Sequence, residues 1–449
     1  MSKQNKSFVC YNCNYIAPKW LGKCPECDQW GTLELSITST GVSSSKTVSS
    51  AAKAAPLLFD QIDAMENERI VTGIGEWDRV VGGGLMVHSL VVLTGDPGIG
   101  KSTLLLAIAH KIQQQYTVLY VATEESLAQV KERAVRLKLH FGSQASFSDG
   151  AQLESIIELA QTTKPDVLII DSIQNCYIEG AASLPGSIGQ LKEATFRLMR
   201  LAKEDKITVI LTGHINKEGL IAGPKTMEHM VDAVFYLQGD ERWQTRVLRS
   251  VKNRFGTVNE LGFFEMTAQG LEQVNNINQH LMSELTPAAG SALVAIIEGS
   301  KPLLLELQAL TVASKLNMPQ RVISGIDQKQ VMLIAAILEK YLKVKLSMQD
   351  IFFKVTTHLK TKAHGTDLGI ALALLSTYFQ QPLPEKSIAI GEISLTGNIK
   401  PANQVTLLIK EAETFGVLNF LIAKNQKMPS MKSNVIEFST VYQLLELFR

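Results

Sequence analysis

This chain has no apolar run of the roughly 18 residues that a membrane-spanning helix needs. Its first residues are polar and lack the apolar core of a signal peptide. The expectation is a cytoplasmic protein with no membrane partner. Charge of one sign is also missing. The 44 Lys+Arg and 43 Asp+Glu leave a formal net charge of +1, so any nucleic-acid surface must be a local patch. Cysteine is scarce, and its five copies are unevenly placed, four of them within the first 27 residues. In a reducing compartment, such pairs point to metal more than to disulfides. What is present is ordinary for a soluble protein, 45% hydrophobic and 19% charged over 449 residues. That length is too great for one core and implies about two or three domains.

The cysteines read Cys10-x-x-Cys13, then ten residues, then Cys24-x-x-Cys27. Two such knuckles suit tetrahedral Zn²⁺ held by four thiolates, with the metal supplying most of the folding energy of so small a module. A redox dithiol pair is the alternative. Trp20 and Trp30 flank the second knuckle, with Lys19 and Lys23 close by. These aromatics either stack on nucleic-acid bases or form the finger's small core. The stretch from Ser36 to Ala55 has linker composition. A finger over 1–35 and a linker over 36–60 follow. The fifth cysteine, Cys176, reads as a small core residue.

The segment Gly95-Asp96-Pro97-Gly98-Ile99-Gly100-Lys101-Ser102-Thr103 fits G-x-x-x-x-G-K-[ST]. It follows the apolar strand Leu90–Thr94 and precedes an apolar helical stretch, the context that makes the motif specific. Glycines let backbone N–H groups turn toward phosphates, and the helix N-terminus adds its dipole. ATP is the expected ligand. Lys101 reaches its β- and γ-phosphates, and Ser102 holds Mg²⁺.

Further strands alternate with helices, which implies α/β architecture with a parallel sheet, a RecA-like P-loop ATPase core over 61–275. Val118–Val121 leads to Glu124 and Glu125, Val167–Ile170 to Asp171, and Thr208–Leu211 to His214. Helices are expected over Leu127–Leu139 and Ile188–Lys203. Asp171 is expected to act on Mg²⁺ through water. Glu124 or its neighbour Glu125 is placed at the end of the strand beside the phosphate loop, where a carboxylate can polarise the attacking water; a helix-capping role is the alternative. His214 either senses the γ-phosphate or is structural. Two glycine-rich loops, Glu179–Gly189 and Asn216–Lys225, follow strand ends. In the second, Lys217 and Lys225 supply charge for DNA phosphates.

The ordered set of motifs resembles the RadA (Sms) family of bacterial DNA-repair and recombination ATPases over essentially the whole chain. It comprises the four-cysteine finger with Lys19-Trp20 and Trp30, Thr72-Gly-Ile-x-Glu-x-Asp-Arg-Val80, Gly82-Gly-Gly-Leu85, the phosphate loop, His214-x-x-Lys-Glu-Gly219, Ala222-Gly-Pro-Lys225, Glu228-His-Met-Val-Asp232 and Lys252-Asn-Arg-Phe-Gly256. The resemblance implies a homo-hexameric ring that translocates on single-stranded DNA. Such a ring branch-migrates recombination intermediates in partnership with RecA recombinase. Lys252 and Arg254 match the family signature, as a cation offered to a neighbouring subunit's phosphates or as DNA contacts. His88 and Asn14 stand where the family usually has glycine. An ATP-switched, non-motor recombination mediator fits the same ATP site.

From about Leu285 the texture changes, and 285–449 resembles the Lon-protease-like α+β domain the family carries. Buried strands are expected over Gly290–Ile297 and Pro302–Leu310, and helices over Gln328–Tyr341 and Thr366–Phe379. A Lon-type protease needs a Ser–Lys pair. The serine position is taken here by Asp367, and the lysine position falls near Thr406, so a non-proteolytic scaffold is expected. Lys340, Lys343, Lys345, Lys354, Lys360 and Lys362, with few acids among them, form either a DNA-binding face or a solvated surface.

Overall fold

The computed structural model describes residues 6–10, 15–17, 19–26, 29–37, 68–181, 184–213, 226–239, 245–258, 260–274, 276–283, 285, 287–315, 318–356, 365–429 and 433–448. Cys13, Cys27, His214, Lys217, Lys225, Lys360 and Lys362 lie outside these residues, as does nearly all of the expected linker. The chain divides into two compact units. One comprises 1–73 and 83–234, the other 74–82 and 235–449.

In the first unit, the finger is a three-stranded antiparallel sheet of Ile16–Ala17, Lys6–Cys10 and Leu33–Ile37. Ser36 and Ile37, at the start of the expected linker, pair with Ser7 and Lys6 instead. The larger part of the unit is built on five parallel strands. These are β1 (Leu90–Gly95), β2 (Val118–Ala122), β3 (Ala145–Ser148), β4 (Val167–Asp171) and β5 (Thr208–Gly213). Their order is β1-β5-β4-β2-β3. β1, β2 and β5 are buried at every position, as strands covered on both faces must be, which is why they read as continuous apolar runs. Four helices connect them: α1 (Lys101–Ile112), α2 (Leu127–Arg136), α3 (Leu153–Thr163) and α4 (Ile188–Glu204). Ser126 and Gln129 form a reciprocal capping box that starts α2.

The strand order corrects one expectation. β2, which leads to Glu124, is not beside the phosphate-loop strand; β4 and β5 stand between them. Chain order does not give lateral order in a doubly wound sheet, because crossovers skip strands. β3 has no counterpart in the sequence reading. Its burial is only partial, and its Ala-Ser-Phe-Ser carries a weak strand signal.

In the second unit, the strands Thr245–Asn253, Leu261–Thr267 and Gly270–Gln273 form antiparallel pairs. The helix Gly75–Val81 is fastened to this region by Arg79, which bridges Glu76 at 2.8 Å and Glu260 at 2.9 Å, and by Lys301 on Glu76 at 2.8 Å. A seven-stranded sheet follows, containing Ser291–Glu298, Lys301–Ala313 and Gln349–Val355 among others. Against it lie the helices Gln328–Leu342 and Asp367–Phe379, close to the expected ranges. Among the described residues, no helix is long and apolar enough to cross a membrane.

Candidate ATP site and metal-binding finger

The phosphate loop joins β1 to α1. Gly95, Gly98 and Gly100 have φ of 151°, 74° and 113°. Only glycine takes these values cheaply, and such backbone is what phosphate cradles are made of. Asp96, Pro97 and Gly98 are exposed, whereas Ile99 is buried and anchors the loop. Ser102 and Thr103 occupy the first turn of α1 and are half-buried. Lys101 is buried and folds back on the loop, donating from Nζ to the Gly95 carbonyl at 2.9 Å and the Asp96 carbonyl at 3.0 Å. Burial pulls its pKa down, and Asp171, Glu124 and Asp96 push it back up. Nearby, the Thr94 hydroxyl is buried with no hydrogen-bond partner among the described residues. A glycine cradle, a buried lysine and an orphaned hydroxyl together fit a polyphosphate with its Mg²⁺.

Asp171 ends β4. Its two carboxylate oxygens are each held from a neighbouring strand. The Tyr120 hydroxyl on β2 donates to Oδ2 at 2.7 Å, and the Thr212 hydroxyl on β5 donates to Oδ1 at 2.7 Å. Burial raises the Tyr120 pKa well above its usual value, with the Asp171 charge adding to the shift, so the phenol remains a donor. Sequence reasoning missed Tyr120 and Thr212. The available signal was a hydroxyl placed inside each of two buried strands, where it needs a partner.

The two adjacent glutamates separate. Glu125, just before the N-cap of α2, is engaged by Arg133 of that helix at 2.5 Å. Glu124 is exposed, accepts a hydrogen bond from the Ser172 hydroxyl and lies within electrostatic range of Lys101. Thr123 ties this segment to β4. Its hydroxyl receives the Ser172 N–H at 2.8 Å, and its own N–H donates to the Asp171 carbonyl at 2.8 Å. Lys101, Asp171 and Glu124 are therefore gathered at the C-terminal ends of parallel strands, where such sheets do their chemistry. The buried Asp232 fixes the start of β1, accepting the Leu90 N–H at 3.0 Å and Lys203 Nζ at 3.0 Å. Cys176 is buried, and burial alone pushes its thiol up to about 12.

Lys252 and Arg254 belong to the second unit, Lys252 near the end of the strand Thr245–Asn253 and Arg254 just beyond it. Asn253 organises this turn. Its amide donates to the Val81 carbonyl at 3.1 Å, and its side-chain oxygen accepts the Phe255 N–H at 2.9 Å. A Cβ on Gly256 would come within 2.9 Å of Asn253 Nδ2 and 3.0 Å of Gly82 Cα, so the motif's glycine is required by close approach.

In the finger, Cys10 and Cys24 are buried in one cluster with Ala17 and Leu33. Each begins a backbone turn, Cys10 N–H to the Tyr15 carbonyl and Cys24 N–H to the Gln29 carbonyl, both at 2.9 Å. Two inward thiols on facing turns fit half of a four-thiolate zinc site. Trp20 and Trp30 are exposed, which removes the reading of them as finger core. In the C-terminal part, Asp367 accepts Gln330 Nε2 at 2.8 Å and the Ile393 N–H at 3.0 Å.

Comparison with known proteins completes the assignment. Residues 70–219 match an AAA domain, residues 8–34 a rubredoxin metal binding domain, and residues 319–426 the subunit ChlI of Mg-chelatase. The DNA repair protein RadA of Bacillus subtilis is 37% identical over 456 residues, covering 100% of this chain and 99% of its own. The chain belongs to the RadA family. RadA of Streptococcus pyogenes serotype M6 is 38% identical, with 95% of this chain and 94% of its own covered. RadA of a Synechocystis species is 39% identical, with 95% and 90% covered. As a RadA-family ATPase, this chain combines an N-terminal zinc ribbon, a RecA-like P-loop core and a C-terminal ChlI/Lon-like domain. Its cofactors are ATP with Mg²⁺, and Zn²⁺.

Proposed function

We propose that this protein hydrolyses ATP to move on single-stranded DNA during recombinational repair. It acts as a cytoplasmic homo-hexameric ring that branch-migrates recombination intermediates with RecA recombinase. The observation that carries the reading is the meeting of Lys101, Asp171 and Glu124 at one end of the parallel sheet. Mg²⁺ supplies charge neutralisation on the β- and γ-phosphates. Lys101 exchanges its contacts with the Gly95 and Asp96 carbonyls for phosphate oxygens. Ser102 and Asp171 would hold the metal, with the Asp171 oxygens aimed by the hydroxyls of Tyr120 and Thr212. Glu124 orients the attacking water, and the Ser172 hydroxyl steadies it. Glu125, already paired with Arg133, shapes the start of α2. Lys252 and Arg254 serve a neighbouring subunit's nucleotide or DNA, and Lys217 and Lys225 contact DNA phosphates. His214 relays nucleotide state to the loop that follows it. The zinc is held by Cys10, Cys13, Cys24 and Cys27.

Steady-state ATP hydrolysis with and without single-stranded DNA, on protein of defined oligomeric state, tests this reading. Lys101→Ala serves as the blank. Strong stimulation by DNA is expected. Tight DNA binding without stimulation turns the assignment to an ATP-switched mediator, and absence of DNA binding sinks it. Proteolysis is not part of this reading, because Asp367 stands where the Lon-like resemblance places the serine nucleophile, and a carboxylate cannot take that role.

A further inference from the structure

The finger exposes two indoles that its own fold does not use. Its core is Cys10, Ala17, Cys24 and Leu33, with Phe8 and Tyr15 packed against it. Trp20 is 59% exposed and Trp30 76%. Both rings rest beside one glycine. A Cβ on Gly22 would lie 3.7 Å from Trp30 Cζ3 and 3.8 Å from Trp20 Cη2. The backbone holds the pair in place, since Lys23 and Trp30 form an antiparallel bridge and the Gly31 N–H donates to the Gly22 carbonyl at 2.8 Å. Lys19 and Lys23 are exposed within the same stretch. Glu26 is the described acid between the two tryptophans, in the turn after Cys24.

We infer that Trp20 and Trp30 form a stacking platform for unpaired bases of single-stranded DNA, with Lys19 and Lys23 receiving the flanking phosphates. This rests on the DNA-binding reading above and adds to it a base-contacting site on the finger. Large aromatic faces left in water are uncommon unless a partner covers them. Flat π-faces beside ammonium groups match a polyanion carrying unstacked planar bases. The stacking surface tolerates any base sequence, since every base presents a π-face.

The test uses the full-length, zinc-loaded protein and a short oligodeoxythymidylate. Wild-type tryptophan emission is expected to fall on binding. An abasic strand of equal length should bind more weakly and leave the emission unchanged, a comparison that needs no variant. W20A/W30A should lose affinity by roughly tenfold or more, keep its zinc content and DNA-free ATP hydrolysis, and retain the wild-type salt dependence. W20F/W30F should recover most of the affinity. K19A/K23A should instead flatten the salt dependence. If the abasic strand binds and quenches like the normal one, or W20A/W30A binds oligodeoxythymidylate as tightly as wild type with zinc retained, the platform is refuted and the patch belongs to a protein partner. If wild-type protein binds no single-stranded DNA at all, the broader functional reading fails with it.

Discussion

Asp171 and Asp367 are both bracketed aspartates set in unlike surroundings. Each has its two oxygens held by donors from different elements. For Asp171 the donors are the hydroxyls of Tyr120 and Thr212; for Asp367 they are the Gln330 side-chain amide and the Ile393 backbone N–H. An ionised carboxylate has about four acceptor positions, so two donors leave it room to act further. What differs is the surroundings. Asp171 ends its strand close enough to Lys101 for its charge to oppose the burial that lowers that lysine's pKa. Asp367 opens a helix and ties it to the short strand Glu392–Ile393. A held carboxylate near a buried cation and a glycine cradle is what the proposed metal-phosphate role of Asp171 requires; the surroundings of Asp367, a side-chain amide and a backbone N–H, suit a brace.

Exchanging each aspartate for asparagine separates these roles most sharply. Asp171→Asn keeps the shape, and the Tyr120 or Thr212 hydroxyl can rotate to meet an amide. The fold should survive while ATP hydrolysis falls roughly a hundredfold or more. Asp367→Asn turns an NH₂ group toward Gln330 Nε2 or the Ile393 N–H, so two donors face each other. That costs about 1–3 kcal/mol of stability and should leave hydrolysis per folded molecule unchanged. Steady-state turnover and urea unfolding of both variants read the outcome. Equal loss of turnover in the two would break the comparison.

Tyr120→Phe probes the bracket itself. The ring remains to pack on Phe147, whose centroid is 5.6 Å away, so only the hydroxyl is lost. A hydrogen bond to a charged group contributes about 1.5–3 kcal/mol, which makes a roughly tenfold fall in turnover at low Mg²⁺ the expectation. Excess Mg²⁺ should restore much of it. Mg²⁺-dependent binding of a fluorescent nucleotide should shift in parallel, a readout independent of turnover. Thr212→Val should behave alike. A variant equal to wild type at every Mg²⁺ concentration would reduce Tyr120 to a packing residue.

The sequence made the phosphate loop legible because a fixed spacing of glycines, lysine and serine imposes one backbone, and that backbone is present at Gly95, Gly98 and Gly100. It also exposed the long buried strands and most helix ranges, since apolar runs and 3.6-residue periodicity survive into the fold. Lateral strand order did not show. Nothing in residues 118–124 says that β4 and β5 intervene before β1. The separation of Glu124 from Glu125 was equally invisible, because it depends on Arg133 about two helical turns away, and on Ser172 just beyond the end of β4. The antiparallel strands Thr245–Asn253, Leu261–Thr267 and Gly270–Gln273 did not show either, because their burial follows neither strict alternation nor a continuous apolar run.

The smallest expected effect concerns His88, a non-glycine residue in a backbone conformation that favours glycine. His88 has φ of 56°, the left-handed region. That conformation costs an L-residue about 1–2 kcal/mol, whereas glycine gives back part of the gain through chain entropy. The His88 N–H donates to the Thr208 hydroxyl at 3.0 Å, a backbone contact that the substitution keeps. His88→Gly should therefore stabilise the fold by about 0.5–1 kcal/mol near neutral pH. Burial, then Lys206, with Glu68 opposing and Lys203 adding, hold the imidazole below its ordinary value of 6.5. The unfolded chain then binds that proton more readily than the folded one, so wild-type stability declines as pH drops through 6.5 toward the lowered value. The advantage of the glycine variant should widen over that interval and stay constant above it. Denaturant unfolding of both proteins across this range measures the gap, and a gap that narrows on acidification would show that the imidazole gains rather than loses by folding.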